Sequence, residues 1–136
     1  HKPPIASQFE RLFAPAEGRM LYEVRCPLSI LKRADLGVTA SALEGLGLNV
    51  LEYQAEGVAV VCSNIPAHRE MVRDGETGYM FETDDLPDLV RTMKRALDNP
   101  EARQEIGERG RKAAMRRRWS RSAAATVELY RKLLSP

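Results

Sequence analysis

The chain has little cysteine, no long apolar run and almost no net charge, and each shortage removes a class of protein. Only two of its 136 residues are cysteine, Cys26 and Cys62. They form no CxxC pair and no histidine cluster lies near them, so neither a disulfide framework nor a metal site is expected. Cys62 closes the apolar run Val58-Ala59-Val60-Val61, where a buried free thiol is the natural reading, and a cytoplasmic, reducing environment goes with it. No stretch reaches the roughly 18 to 20 consecutive apolar residues of a membrane-spanning helix. The opening His1-Lys2-Pro3-Pro4-Ile5 lacks the apolar core and cleavage site of a signal peptide, and reads as the interior of a longer chain or a trimmed start.

What is present is ordinary for one soluble domain: 43% hydrophobic and 29% charged residues in a length that argues against two independent cores. The net charge of +2 hides an uneven distribution. Residues 1–100 hold 11 Lys/Arg against 15 Asp/Glu, whereas residues 101–136 hold 10 against 4. A basic end of this kind is a solvated helix face or a contact for phosphate, an anionic membrane surface or nucleic acid. Nucleic acid is the weakest of these partners, because only Trp119 interleaves the arginines from Arg111 to Arg121.

Periodicity predicts alternating helices and strands. Residues 5–13 suit a short helix and residues 19–25 a first strand. Pro27 opens a short helix to Arg33, followed by a strand over residues 36–40. Residues 48–56 have helical spacing and stop at Gly57. Residues 58–61 form the clearest strand, continuously apolar as in a parallel sheet covered on both faces. A helix over 66–72, a turn at Asp74-Gly75 and a strand over 77–81 follow. Thr83 or Asp84 then caps a helix to Leu97 with Leu86, Leu89, Val90, Met93 and Leu97 on one side. Pro100 opens another helix to at least Gly110, and Ser120 caps a last one with Ala124, Val127, Leu129 and Tyr130 on its apolar face. The fold class expected is therefore α/β, a partial Rossmann-like doubly wound parallel sheet of about four strands with a helical C-terminal tail. Residues 1–18 are poorly defined, 19–98 form the Rossmann-like unit and 99–136 the helical segment.

One segment carries chemistry, Ser41-Ala42-Leu43-Glu44-Gly45-Leu46-Gly47-Leu48-Asn49-Val50-Leu51-Glu52. A Gly-x-Gly loop between strand and helix falls at the carboxyl edge of a parallel sheet, where ligands bind. The helix start leaves about four backbone N–H groups unpaired, and its dipole favours an anion such as a diphosphate. Gly45 and Gly47 let a ligand approach the backbone. Glu52 could accept from vicinal ribose hydroxyls, and Glu44 from sugar hydroxyls. Taken alone, a Gly-x-Gly turn is more often only a turn. His68, a lone histidine in a loop, reads as a surface residue.

The joint pattern is more specific. Glu44 and Glu52 bracket the glycines; Ala55-Glu56-Gly57-Val58-Ala59-Val60-Val61, then Ile65-Pro66 and Glu70-Met71-Val72-Arg73-Asp74-Gly75-Glu76-Thr77-Gly78 follow. This run resembles the donor-domain signature of the large retaining glycosyltransferases with two Rossmann-like domains, the GT-B family 4 or glycosyl transferases group 1. The resemblance extends from about Leu28 to Tyr130, and Trp119-Ser120 fits a common tail pattern. It implies binding of a UDP-, GDP- or ADP-sugar without a metal, Glu52 on the ribose, Glu44 as the catalytic-site contact to the donor sugar, and the amides of Gly47, Leu48 and Asn49 on the phosphates, with Gly45 in the same loop. Glu70, Gly75 and Gly78 match structural positions.

Two departures limit the expectation. The basic pair that such proteins supply from upstream has no counterpart in residues 1–18, and the acceptor-binding half is absent from this chain. The expected activity is donor binding without competent transfer by the chain alone. The other reading is a non-catalytic Rossmann-like module that pairs with a separate acceptor-domain chain, or with itself through an exposed first strand. Peripheral membrane contact through residues 116–119 is a further expectation.

Overall fold

The computed structural model describes residues 30–134. The expected helix over 5–13 and the first strand over 19–25 lie outside the described residues, as does the start of the helix from Pro27. Residues 30 and 31 end a helical turn, closed by Arg33 N–H on the carbonyl of Ile30 at 2.9 Å.

The described chain alternates as expected: β1 (Gly37–Thr39), α1 (Leu48–Ala55), β2 (Val60–Ser63), α2 (Pro66–Arg69), β3 (Tyr79–Phe81), α3 (Leu86–Leu97), α4 (Pro100–Ala114) and α5 (Trp119–Leu134). The three strands form one parallel sheet in the order β1-β2-β3. Val60 aligns with Gly37 and Val61 with Tyr79, so β2 is central among the described strands, and all four of its residues are buried. Alternation sends Val60 and Cys62 to one face, where they meet Val50, Met71 and Val72 from α1 and the α2 region. Val61 points to the other face, with Tyr79, Phe81, Ala96 and Ile106. Helices on both faces make the sheet doubly wound, as the pattern predicted.

Several boundaries move for local reasons. The strand expected at 58–61 begins at Val60, because Val58 belongs to the end of α1. Its N–H reaches the carbonyl of Tyr53 at 2.9 Å while that of Gly57 reaches Gln54, the paired bonds of a Schellman turn. The strand expected at 77–81 starts at Tyr79, and the helix expected to reach Val72 stops at Arg69. The cap of α3 is Asp85 rather than Thr83 or Asp84. Asp84 takes a left-handed φ of 64°, and the Asp85 carboxylate accepts Asp88 N–H at 2.9 Å.

The buried side of α3 also differs from the expected stripe. Asp88, Thr92 and Ala96 are inside, with Leu89 and Met93 packed against the core, whereas Leu86, Val90 and Leu97 stay exposed. A buried carboxylate needs partners, and Asp88 has them: Glu82 N–H at 2.8 Å and Arg91 at 2.6 Å. Asn99 caps α4 by accepting Ala102 N–H at 3.0 Å. This helix crosses α1 so closely that a Cβ on Gly107 would overlap the carbonyl oxygen of Gly57 and stand 3.1 Å from Ala59 N. The last helix begins at Trp119, one residue before the expected cap Ser120, and none of its described residues is buried.

Candidate functional site

The loop from residue 40 to Gly47 joins the carboxyl end of β1 to α1, so the sheet itself sets the site at its carboxyl edge. Three hydrogen bonds fix that loop. The buried Ser63 hydroxyl, at the end of β2, donates to the Ser41 carbonyl at 2.5 Å. The Ser41 hydroxyl donates to the Glu44 carboxylate at 2.7 Å, which holds that half-buried side chain over the loop. Asn49 Nδ2 donates to Thr39 Oγ1 at 2.9 Å, which moors the helix start to the end of β1.

Gly47 is the N-cap of α1 with φ 63° and ψ 46°, and among the described residues no side chain caps the helix. A Cβ there would stand 3.0 Å from Met71 Cε and 3.2 Å from His68 Cδ2, so both the backbone conformation and the packing require glycine. Asn49 Oδ1 satisfies Val50 N–H at 2.9 Å. Among the described residues the N–H groups of Leu48 and Asn49 have no acceptor. Two free donors at the positive end of a helix can take an anionic oxygen. Gly45 differs from Gly47: among the described residues a Cβ on it would meet nothing within 4 Å, which leaves room there for a ligand. Glu52, one turn into α1, is exposed and forms no ion pair among the described residues. Its charge, after burial, helps raise the phenol pKa of neighbouring Tyr53.

His68 corrects the sequence reading. It is fully buried in α2, not on the surface. Its Nδ1 lies 2.9 Å from the Ser63 carbonyl, which can only accept, so Nδ1 carries the proton. Nε2 is buried and has no partner among the described residues. The ring backs onto the Gly47 turn. Histidine thus joins Ser63 in supporting the loop from beneath, a role that appears only once β2 and α2 are folded together. Glu70 is exposed, and its backbone carbonyl accepts from the Arg117 guanidinium.

The arrangement defines a class: a parallel α/β unit whose carboxyl edge presents an uncapped helix start beside two carboxylates. Comparison with known proteins gives the family. The family described as glycosyl transferases group 1 matches residues 20–113, and the chain belongs to it. Glycogen synthase of Mycobacterium tuberculosis is 36% identical over 107 residues, covering 76% of this chain and 25% of that protein. The crystal structure of Anabaena HepE in complex with UDP and glucose has the same fold, with a TM-score of 0.81 at 16% identity, over 94% of this chain and 35% of that one. The C-terminal domain of a glycosyl transferase group 1 protein, LpcC, from Francisella tularensis superposes with a TM-score of 0.70 at 22% identity, over 82% of this chain and 60% of that one. The fold is accordingly that of GT-B glycosyltransferases. The chain spans about a quarter of the length of the curated relatives it matches. No helix among the described residues is long and apolar enough to cross a membrane.

Proposed function

We propose that the chain is the nucleotide-sugar-binding half of a retaining glycosyltransferase, which moves a sugar from a nucleoside diphosphate to an acceptor hydroxyl. The observation that carries this reading is the uncapped start of α1, with free N–H groups on Leu48 and Asn49, in a chain of this family. HepE, which has this fold, holds UDP and glucose.

In this reading the amides of Gly47, Leu48 and Asn49 receive the diphosphate, where helix dipole and donors act together. Glu52 accepts from the ribose hydroxyls and Glu44, oriented by Ser41, from the donor sugar. Gly45 leaves space for the ligand. Catalysis of this type rests on positioning and on stabilising the charge of the leaving diphosphate, so the chain alone binds the donor without competent transfer until an acceptor-binding half completes the cleft. The site works in the cytoplasm, in keeping with the free, buried Cys62 thiol.

The test is ligand-observed NMR with UDP-, GDP- and ADP-sugars. The parent chain is expected to bind at least one of them and Glu52→Ala to lose it by roughly tenfold or more, the cost of charged hydrogen bonds. No binding at millimolar ligand, or binding untouched by that substitution, overturns the reading. Transfer activity in the purified chain overturns the claim that it is incompetent alone.

A second reading, an interaction module, is favoured by α5. Leu129, Tyr130, Leu133 and Leu134 are all exposed in the described structure. Such a helix suits a partner chain or a second copy, and gel filtration across concentrations distinguishes a self-associating chain from a monomer.

A further inference from the structure

A cavity of about 470 Å³ opens between the segment after α2 and the turn joining α4 to α5. It is lined by Arg69, Arg73, Arg116, Arg117 and Arg121 with one acidic residue, Glu70, whose backbone carbonyl accepts from Arg117. Arg69 is partly engaged, with Nε on Asn64 Oδ1 at 2.6 Å and Nη2 on the Asn64 carbonyl at 3.1 Å. Arg73 stands 3.8 Å from Glu76, both side chains largely in solvent. Among the described residues no carboxylate lies within ion-pair distance of Arg116, Arg117 or Arg121.

Gathering five arginines around a space lined by one acidic residue, with Glu76 beside Arg73 alone, costs repulsion that opposes the compact state. A bound anion removes that cost. Guanidinium forks present paired N–H groups at the spacing of phosphate oxygens, and the cavity is of a size that holds a small ligand. Arg116, Arg117 and Arg121 also line a neighbouring groove with Leu48 and Trp119, so the cavity flanks the start of α1 without coinciding with it.

We propose that this cavity binds a phosphate-bearing anion, at a site separate from the donor site. The chemistry recognised is a cluster of phosphate oxygens, carried either by a soluble phosphorylated compound or by the headgroup of a membrane lipid. The inference rests on the arginines and stands whether or not α1 binds a nucleotide sugar.

Two probes test it with the whole chain. Inorganic pyrophosphate is titrated calorimetrically at low salt in the presence of saturating UDP, which occupies the α1 start; if UDP does not bind, the same titration is run without it. In parallel the chain is sedimented with vesicles of phosphatidylcholine alone or with added phosphatidylglycerol. Pyrophosphate bound once per chain identifies a soluble ligand, and retention on the anionic vesicles alone identifies a headgroup. In either case the double variant Arg116→Ala/Arg121→Ala should weaken binding by roughly tenfold or more, and Arg116→Lys/Arg121→Lys by less, since lysine keeps the charge and loses the fork. Among the described residues these two side chains have no partner, so both variants should fold, and the lysine pair serves if the alanine pair melts early. Binding to neither probe overturns the proposal, as does binding that the double variant leaves unchanged.

Discussion

The hydroxyl of Ser63 donates to the carbonyl of Ser41 at 2.5 Å, tying the end of the central strand to the loop that holds Glu44. Ser63 is fully buried, so Ser63→Ala leaves the Ser41 carbonyl without its protein donor. Its expected cost is about 1 to 3 kcal/mol in denaturant unfolding. Donor affinity should fall with it, because Ser41 in turn orients Glu44. Ser63→Thr, which keeps the hydroxyl, should recover binding more than stability. Equal loss in both variants would show that the hydroxyl is irrelevant to the loop.

Gly47→Ala is expected to weaken donor binding more than it destabilises the fold. A left-handed residue with a Cβ costs about 1 to 2 kcal/mol, and the new methyl must displace the Met71 side chain at 3.0 Å. Gly45→Ala is the comparison, since its Cβ would meet no atom of the described residues within 4 Å. Stability should be unchanged there, and any loss of donor affinity reports the ligand itself. The readouts are thermal unfolding and NMR titration, and a large melting shift for Gly45→Ala would contradict the open space seen beside it.

Gly107→Ala should be among the most damaging single substitutions in the protein. The added carbon would overlap the backbone oxygen of Gly57, which cannot swing away as a side chain does. Overpacking of this kind typically costs about 1 to 3 kcal/mol, and more against backbone. Circular dichroism melts should show a clear loss, and Gly107→Ser should behave no better. A melting temperature equal to the parent's would mean that α4 does not cross α1 as described.

Alkaline pH should weaken the fold through Cys62. Burial first, and then the Asp74 carboxylate, push its thiol pKa up from 9.0 to about 12. Below pH 9 the thiol keeps its proton in both folded and unfolded chains, and its contribution is fully present. Between 9 and about 12 only the unfolded chain ionises, so stability falls by up to about 1.4 kcal/mol per pH unit. Tyr53 and Tyr79, whose pKa values are also raised, act in the same sense. Unfolding measured from pH 8 to 11 should steepen in the parent and less in Cys62→Ala. In a Cys26→Ser background the native chain should resist thiol reagents at pH 8.

The sequence carried the fold class and the position of the site because both depend on local signals. Continuous apolar residues mark the central strand, and glycines between strand and helix mark the carboxyl edge. What it could not carry depends on contacts made across the chain. The central strand starts at Val60 because Val58 is held by a carbonyl five residues back, in a turn that competes with the strand. The charged Asp88 is inside because an amide and two side chains from its surroundings satisfy it. His68 reads as a surface residue in the sequence because a lone histidine gives no local sign that folding will bring the Ser63 carbonyl to its ring. The arginine cavity was legible only as a basic end, because Arg69 and Arg73 join Arg116, Arg117 and Arg121 through folding alone.

The passage of α4 over α1 also sets an order of events. On a growing chain the turn at Gly57 and the entry to the central strand are made fifty positions before Gly107, the residue that covers them (57 to 107). Until α4 emerges, the turn at Gly57 lacks the helix that passes over it, and the sheet face that holds Ala96 lacks Ile106. Contacts that close over so long a span form late. What α4 adds is therefore closure rather than foundation: Ile106 and Gly107 seal a face and an edge that α3 and α1 have already begun to cover.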